Sequence, residues 1–531
     1  MEGKQVLFTG GTIWTGAAVT DALAVSGGRI TALGQDALDQ ADGQVVDLEG
    51  GFLMPAFGDG HAHPLYGGLE AQGPQIKECA SVEEIVAAVG RYAGEHPELE
   101  WIVGGSYDPA LTPAGEFDAR WLDEAVPDRP VVLRAYDYHT LWCNTAALER
   151  AGIGPDTPDP RLGWIVRRPD GTPMGTLREW HACDLVLDLV PAKSLDELVE
   201  GLAEAGRAMA SAGITWVQDA WVEPSMVEAY LEADRRGALR FRANLGLRAD
   251  PDTWRDQRPV FLAQRDRVGG LVTANTVKFF ADGVIEGGTA DMLAPYEDAP
   301  HSCGMPVWAP EALAEAVVAV DADGFQVHIH AIGDRGIRAA LDAVELAVRR
   351  NRAWDRRPVV AHTQLVDPAD LPRFAELGVI ANFEPLWAQL DPLQTELTVP
   401  RLGRERADLQ YPMETLRRGG ATLSFGSDWP VSSHLPLLGI QIATTRQTVD
   451  GSESWTPAER LTVEDALRAY TWGVAYQAFA EQRRGSLAVG MDADLVWLGA
   501  DPRTADPLSL RHIPVLGTWL GGERVSGPSA S

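Results

Sequence analysis

Two histidines stand two positions apart in "GDGHAHPL", His61 and His63. Other residues able to bind a metal or move a proton recur at the ends of short apolar runs: His330 in "GFQVHIHA", His362 in "RPVVAHTQ" and Asp428 in "ATLSFGSD". Residues two apart on a strand point to the same side, so His61 and His63 offer both imidazoles to one space. Imidazole and carboxylate are ligands of zinc and similar divalent ions. His-x-His alone is weak evidence, a lone histidine is more often a packed core residue, and Asp428 by itself reads as a cap or turn. Four histidines and an aspartate placed alike at successive strand ends together predict a metal site. His328 shares a face with His330 one layer deeper and is assigned to support or packing. His96, His181, His301, His434 and His512 lack strand-end placement and are assigned surface or local roles.

Lys278 raises a separate question, because it sits inside the apolar run "NTVKFFADG", with Asp282 after it. An unpaired buried ammonium is costly, and burial lowers its pKa. Lysine occurs only at positions 4, 77, 193 and 278 among 45 basic residues, so arginine meets most cationic needs here. Arginine keeps its proton, whereas lysine can release it. Lys278 is either an ion-paired or snorkelling lysine, or a source of neutral amine.

These residues can meet only if the strands carrying them converge. From residue 213 onward a strand ending in a polar residue alternates with an amphipathic helix. The strands read at 213–220, 240–248, 275–283, 324–331, 357–364, 378–385 and 421–428, with helices such as 310–321, 334–350 and 367–377. The last helix follows "DPADL", which would put Pro368 in its first turn. The run "GFLMPAFGDGHAH" (51–63) supplies an eighth strand. Alternating strands and helices imply a parallel sheet. Polar residues at many strand ends favour a closed α/β fold, the (β/α)8 TIM-like barrel, over an open doubly wound sheet with one switch point. Residues 51–65 and 193–482 form this barrel in the reading. Residues 66–192 form an inserted α/β region over the active site, with a hairpin turning at Asp170-Gly171. Short β segments at 1–50 and 483–531 pair into a small composite β-sandwich domain. "FTGGTIWTG" is no phosphate loop, since no suitable helix follows it.

The net charge of −31 disfavours nucleic acid and anionic membrane as partners. No apolar run is long enough to span a bilayer, and no signal peptide is evident at the N-terminus. The four cysteines lie far apart without a CxxC pair, which fits a reducing cytoplasm and excludes a cysteine zinc site.

Taken with these residues, "GDGHAHPL", "VKFFADGVIEGGTA", "HIHAIGD", "VVAHTQLVDPADL" and "FGSDWPV" resemble the motifs of the amidohydrolase superfamily. The likeness is strongest to the family-3 amidohydrolases, which include N-substituted formamide deformylases. "GSLAVGMDADLVWL" and "DYHTLWCNTAALERAGI" resemble that family's C-terminal signature and inserted region, so nearly the whole chain is covered. The resemblance implies two divalent metal ions, zinc being the expected metal, bridged by Lys278 after N6-carboxylation by CO₂. It assigns His61, His63 and Asp428 to the more buried ion and His330 and His362 to the second. It also leads to an expectation of glutamine before the strand-seven proline. The chain has Glu384 there, which is expected to bring negative charge near the substrate.

The function implied is hydrolysis of a C–N bond in an amide, N-formyl compound, carbamate or cyclic amide, with a metal-bridging hydroxide as nucleophile. Asp428 would act as general base and then acid, and Lys278 and His139 would complete the catalytic set. His139, in "YDYHTLW" of the insert, is the expected substrate-polarising group. Glu384, Trp429 and insert tryptophans are expected to shape the substrate pocket, and Arg178 and Glu179 to form a structural ion pair. The partner is a small-molecule amide-type substrate, and a homodimer is the default assembly. The alternatives are a mononuclear deaminase-like barrel and a non-catalytic metal-binding scaffold.

Overall fold

The computed structural model describes residues 5–40 and 43–527; Lys4, where the first expected β segment opens, lies outside that range, as do the last four residues. Eight parallel strands lie side by side in chain order: β1 Phe57–Ala62, β2 Ile214–Val222, β3 Arg242–Arg248, β4 Val272–Phe280, β5 Gln326–Ala331, β6 Val359–His362, β7 Ile380–Phe383 and β8 Thr422–Phe425. They form the expected (β/α)8 barrel. Helices Val227–Arg235, Trp254–Arg267, Pro310–Ala322, Asp334–Arg350, Leu371–Leu377 and Met413–Arg418 connect β2 through β8. Strands buried on both faces need near-continuous apolar runs, and β5 to β7 are buried along their whole length. The helix Asp334–Arg350 shows the complementary pattern, burying Ile337, Ala340, Leu341, Val344 and Ala347 against the sheet.

β1 and β8 meet at a seam that polar side chains close. Asp59 accepts hydrogen bonds from the Ser427 backbone (3.0 Å) and hydroxyl (2.5 Å), and from His61 N (3.2 Å). The His61 carbonyl accepts from Asp428 N at 2.7 Å. Only glycine fits at position 426, where an added Cβ would lie 2.7 Å from His61 N. The seam therefore fixes His61 and Asp428 relative to each other.

Two elements differ from the sequence reading. The run 51–63 is not one strand. Phe52–Pro55 pairs antiparallel with Leu495–Leu498 in a side sheet, and only Phe57–Ala62 joins the barrel. The chain switches sheets at Ala56, whose N–H bonds Asp494 O (3.0 Å), just after Pro55, which has no N–H to give. The helix after β6 starts at Leu371, so Pro372 and not Pro368 lies in its first turn. Asp370 there binds Arg338 and Arg373 with its carboxylate instead of capping the helix.

Strands from both termini make up the side structure, a six-stranded sheet beside a four-stranded one, with Phe8, Ile13, Leu53, Leu495 and Trp519 sharing one core. The insert carries a five-stranded mixed sheet that includes the hairpin Trp164–Arg167 and Pro173–Arg178. The helix Leu195–Ser211 returns the chain to β2 and starts on a capping box of Ser194 and Glu197. No helix among the described residues is long and apolar enough to cross a membrane.

Candidate active site

The C-terminal strand ends bring His61, His63, Lys278, His330, His362 and Asp428 into one buried cluster. The ring centroids of His61 and His362 are 4.7 Å apart, and those of His330 and His362 are 4.5 Å apart. Asp428 Oδ1 lies 2.9 Å from His63 Nε2 and 3.6 Å from His61 Nε2. One ligand atom each from His61, His362 and Asp428 falls within a 4.8 Å span. Strand register produces this meeting: Lys278 stands opposite His328, and His362 opposite Ala331, one residue beyond His330.

Neighbouring groups set which imidazole nitrogen faces inward. His362 Nδ1 is 2.8 Å from Glu384 Oε2, and His330 Nε2 is 3.0 Å from Gly283 O. His61 Nδ1 lies 2.9 Å from His328 Nε2, so His328 supports His61, as its deeper layer suggested. Each contact leaves the other ring nitrogen free. Burial pushes His362 down to about 3 and His61, His328 and His330 well below the usual histidine range, the Lys278 charge adding to the effect. These rings are therefore neutral, the state a metal ligand requires. His63 differs: burial acts against its proton, but the Asp219 and Asp428 carboxylates hold it up to about 9.

Lys278 is 0% exposed, its Nζ has no hydrogen-bond partner, and it lies 4.6 Å from the Phe280 ring centroid. Burial brings its pKa from 10.5 to about 7, against the pull of Asp428, Glu384 and Asp219. An unpartnered buried amine beside neutral imidazoles and carboxylates fits a cationic centre that would take up these lone pairs. The donor set of nitrogen and oxygen, without sulfur, suits zinc or a similar divalent ion.

Backbone strain marks the same place. His362, Asp428, Tyr138 and Glu179 adopt left-handed φ of 73°, 53°, 62° and 64°. Each such residue costs about 1–3 kcal/mol, and such strain concentrates at functional sites.

A cavity of about 370 Å³ opens onto the cluster, lined by His61, His63, His330, His362 and Asp428 and roofed by Tyr136, Tyr138 and His139 of the insert. The His139 ring is 5.4 Å from that of His330, and its Nδ1 is 2.8 Å from Glu179 Oε2. Glu179 raises His139 to about 9 although burial acts the other way. Arg178 therefore does not pair with Glu179; it turns to the carbonyls of Ala114 and Gly287.

Two expected substrate contacts lie elsewhere. Glu384 is fully buried outside the cavity lining, and its carboxylate reaches His362, not the substrate space. Burial and the Asp428 charge hold Glu384 well above the usual carboxylate range. Trp429 is also outside the lining; its indole fills the space over Gly67 and meets His434. The tryptophans on the cavity are Trp221 and Trp387, from the barrel and not from the insert. Sequence reasoning missed Asp219, at the end of "TWVQDA", which lies 3.7 Å from His63 Nδ1 and accepts from the Tyr230 hydroxyl. Its strand-end position was the available signal.

The family model described as "Amidohydrolase family" matches residues 44–526. Protein LONG AFTER FAR-RED 3 of Arabidopsis thaliana is 32% identical, with 98% of this chain and 91% of that protein covered. The N-substituted formamide deformylase of Arthrobacter pascens is 26% identical, with 94% of each covered. The crystal structure of an uncharacterized metal-dependent hydrolase from Pyrococcus furiosus superposes with a TM-score of 0.73 at 26% identity, covering 94% of this chain and 100% of that one.

Proposed function

The chain belongs to the amidohydrolase family, and from that premise we propose that it hydrolyses the C–N bond of a small amide-type compound with two divalent ions, zinc by preference. One observation carries this reading. Three neutral imidazoles, those of His61, His330 and His362, meet Asp428 on the wall of a cavity large enough for a small organic substrate, with the unpartnered Lys278 amine buried in the same cluster. The deformylase relative supports N-formyl amines as the first compounds to try.

In this reading His61, His63 and Asp428 would hold one ion, with His63 giving up the proton that Asp219 and Asp428 keep on it in the metal-free protein, and His330 and His362 would hold the other. Lys278 joins them after its neutral nitrogen bonds the carbon of CO₂ and releases a proton. The resulting carbamate turns an unfavourable buried cation into an anionic ligand. When bound, the ions would polarise the substrate carbonyl and make water acidic enough to attack near neutral pH. Asp428 takes the proton of the attacking water and delivers it to the departing nitrogen. His139, protonated through Glu179, donates to the carbonyl oxygen as charge builds there. Glu384, ionised once cations occupy the site, would accept from His362 Nδ1–H and so leave the Nε2 lone pair to face inward. The products are a carboxylic acid and a free amine.

The test is a panel of amides, N-formyl amines, carbamates and cyclic amides assayed by free-amine release, with metal analysis of the same sample. Chelation should abolish hydrolysis, and zinc or manganese should restore it. Full activity in metal-free protein is the opposite result.

A further inference from the structure

The candidate cavity has a second wall whose chemistry the hydrolytic step does not use. Asp108, Asp137, Glu286 and Asp391 all line it, each from a different loop. All four also act electrostatically on the buried phenol of Tyr136, a fellow member of that lining. Among the described residues none of the four is ion-paired. The nearest cations are engaged elsewhere: Arg401 pairs with Asp298 at 2.8 Å, Arg178 binds backbone carbonyls, and His139 pairs with Glu179 at 2.8 Å. Asp108 accepts from Ala110 N at 2.8 Å and from the Tyr136 side chain, Asp137 from His139 N at 2.8 Å and the Thr140 hydroxyl at 3.3 Å, and Asp391 from Gln394 N at 3.0 Å, all of them neutral donors. The Glu286 carboxylate accepts from its own backbone N–H.

An independent observation points the same way. Gln394 lines the same cavity, is 3% exposed, and leaves its Oε1 without a hydrogen-bond partner while its Nε2 reaches the Tyr411 hydroxyl at 3.3 Å. A buried acceptor without a donor needs an explanation. The carboxylates and this amide oxygen are all acceptors, and all call for a donor-rich cation.

We propose that the substrate of this site carries a protonated amine or guanidinium group, held by Asp108, Asp137, Glu286, Asp391 and the Gln394 carbonyl. The identity of the bond that breaks rests on the hydrolase reading, whereas the cation preference is a property of the wall itself. Burial pushes Glu286 up to about 7 and Asp391 up to about 6, with the neighbouring Asp137 and Asp108 charges adding to the push. A cationic ligand relieves that repulsion. His139 stands between the two functions, feeling Asp137 and Glu286 while its ring faces His330.

The experiment uses the metal-loaded protein and two probes of equal size, 4-(aminomethyl)benzamide and 4-(hydroxymethyl)benzamide, which differ by one ammonium group. Calorimetry should give at least about tenfold tighter binding of the ammonium compound, the scale of one charge-assisted hydrogen bond. In Glu286→Gln and Asp391→Asn proteins the preference should shrink to within about threefold. Equal binding, tighter binding of the neutral probe, or binding of neither at millimolar concentration overturns the inference. Amine or ammonia release from the broader panel is read separately. Charge preference without hydrolysis would sink the hydrolase reading and leave this inference standing; hydrolysis without charge preference would do the reverse.

Discussion

Replacing Lys278 with methionine should make the metal-free protein more stable while removing its activity. The side chains are similar in length, and methionine needs no partner inside the barrel. Burial lowers the Lys278 amine from 10.5 to about 7, so forcing the charged form into the fold costs about 5 kcal/mol. Because the folded value lies below the unfolded one, the unfolded chain binds the extra proton between those two pH values. The penalty is therefore full below about pH 7 and fades as pH rises through 10.5. At pH 7 the substitution should gain about 4 kcal/mol, falling to about 1 kcal/mol near pH 10. Urea unfolding of both proteins in chelator at these two pH values reads the effect directly. Restoring metal should return hydrolysis to the wild type alone. No gain at pH 7, or a gain that ignores pH, would mean that the amine is paired in the metal-free protein and would refute the reasoning.

Glu384→Ala strips His362 Nδ1 of its partner and should weaken metal binding by about 10–100-fold in a zinc titration; Glu384→Gln, which keeps an acceptor, should lose less. Unchanged affinity in the alanine variant would contradict the role given to Glu384. Asp428→Asn should lower kcat by about 10²–10⁴ while leaving substrate binding near the wild-type value, and retained turnover would remove Asp428 from the proton path. His139, held at about 9 by Glu179 against burial, is a cation below that pH and loses its proton above it. The pH profile of kcat/KM should therefore decline as pH rises through about 9, and Glu179→Gln should move that limb to lower pH. An unmoved limb would take His139 out of the reaction.

The barrel was legible because each parallel strand must be apolar on both faces and must stop at a polar residue that looks into the common pocket. That rule picked out His61, His330, His362 and Asp428, at the ends of four different strands of the barrel. It failed at Ala56, where one apolar run serves two sheets, because burial looks alike on both sides of the switch. Glu384 and Trp429 adjoin strand ends, but side-chain direction after a strand ends depends on the local turn. Asp428 itself has φ 53°, and no periodicity foretells such a turn. The acid wall was hidden for a different reason. Asp108, Asp137, Glu286 and Asp391 lie on four loops, and nothing in loop sequence reports which loops meet. Glu179 follows the same logic: beside Arg178 in the chain it reads as an ion pair, but its own left-handed φ of 64° accompanies a carboxylate turned to His139.

The most direct test of the account is to strip the protein with chelator, return zinc in measured equivalents, and follow amine release alongside metal content. The account predicts no hydrolysis in the stripped protein and a rise that saturates near two ions per chain. Saturation at one ion would remove the bridged pair and the role of Lys278 in it, and undiminished hydrolysis in the metal-free protein would contradict the account as a whole.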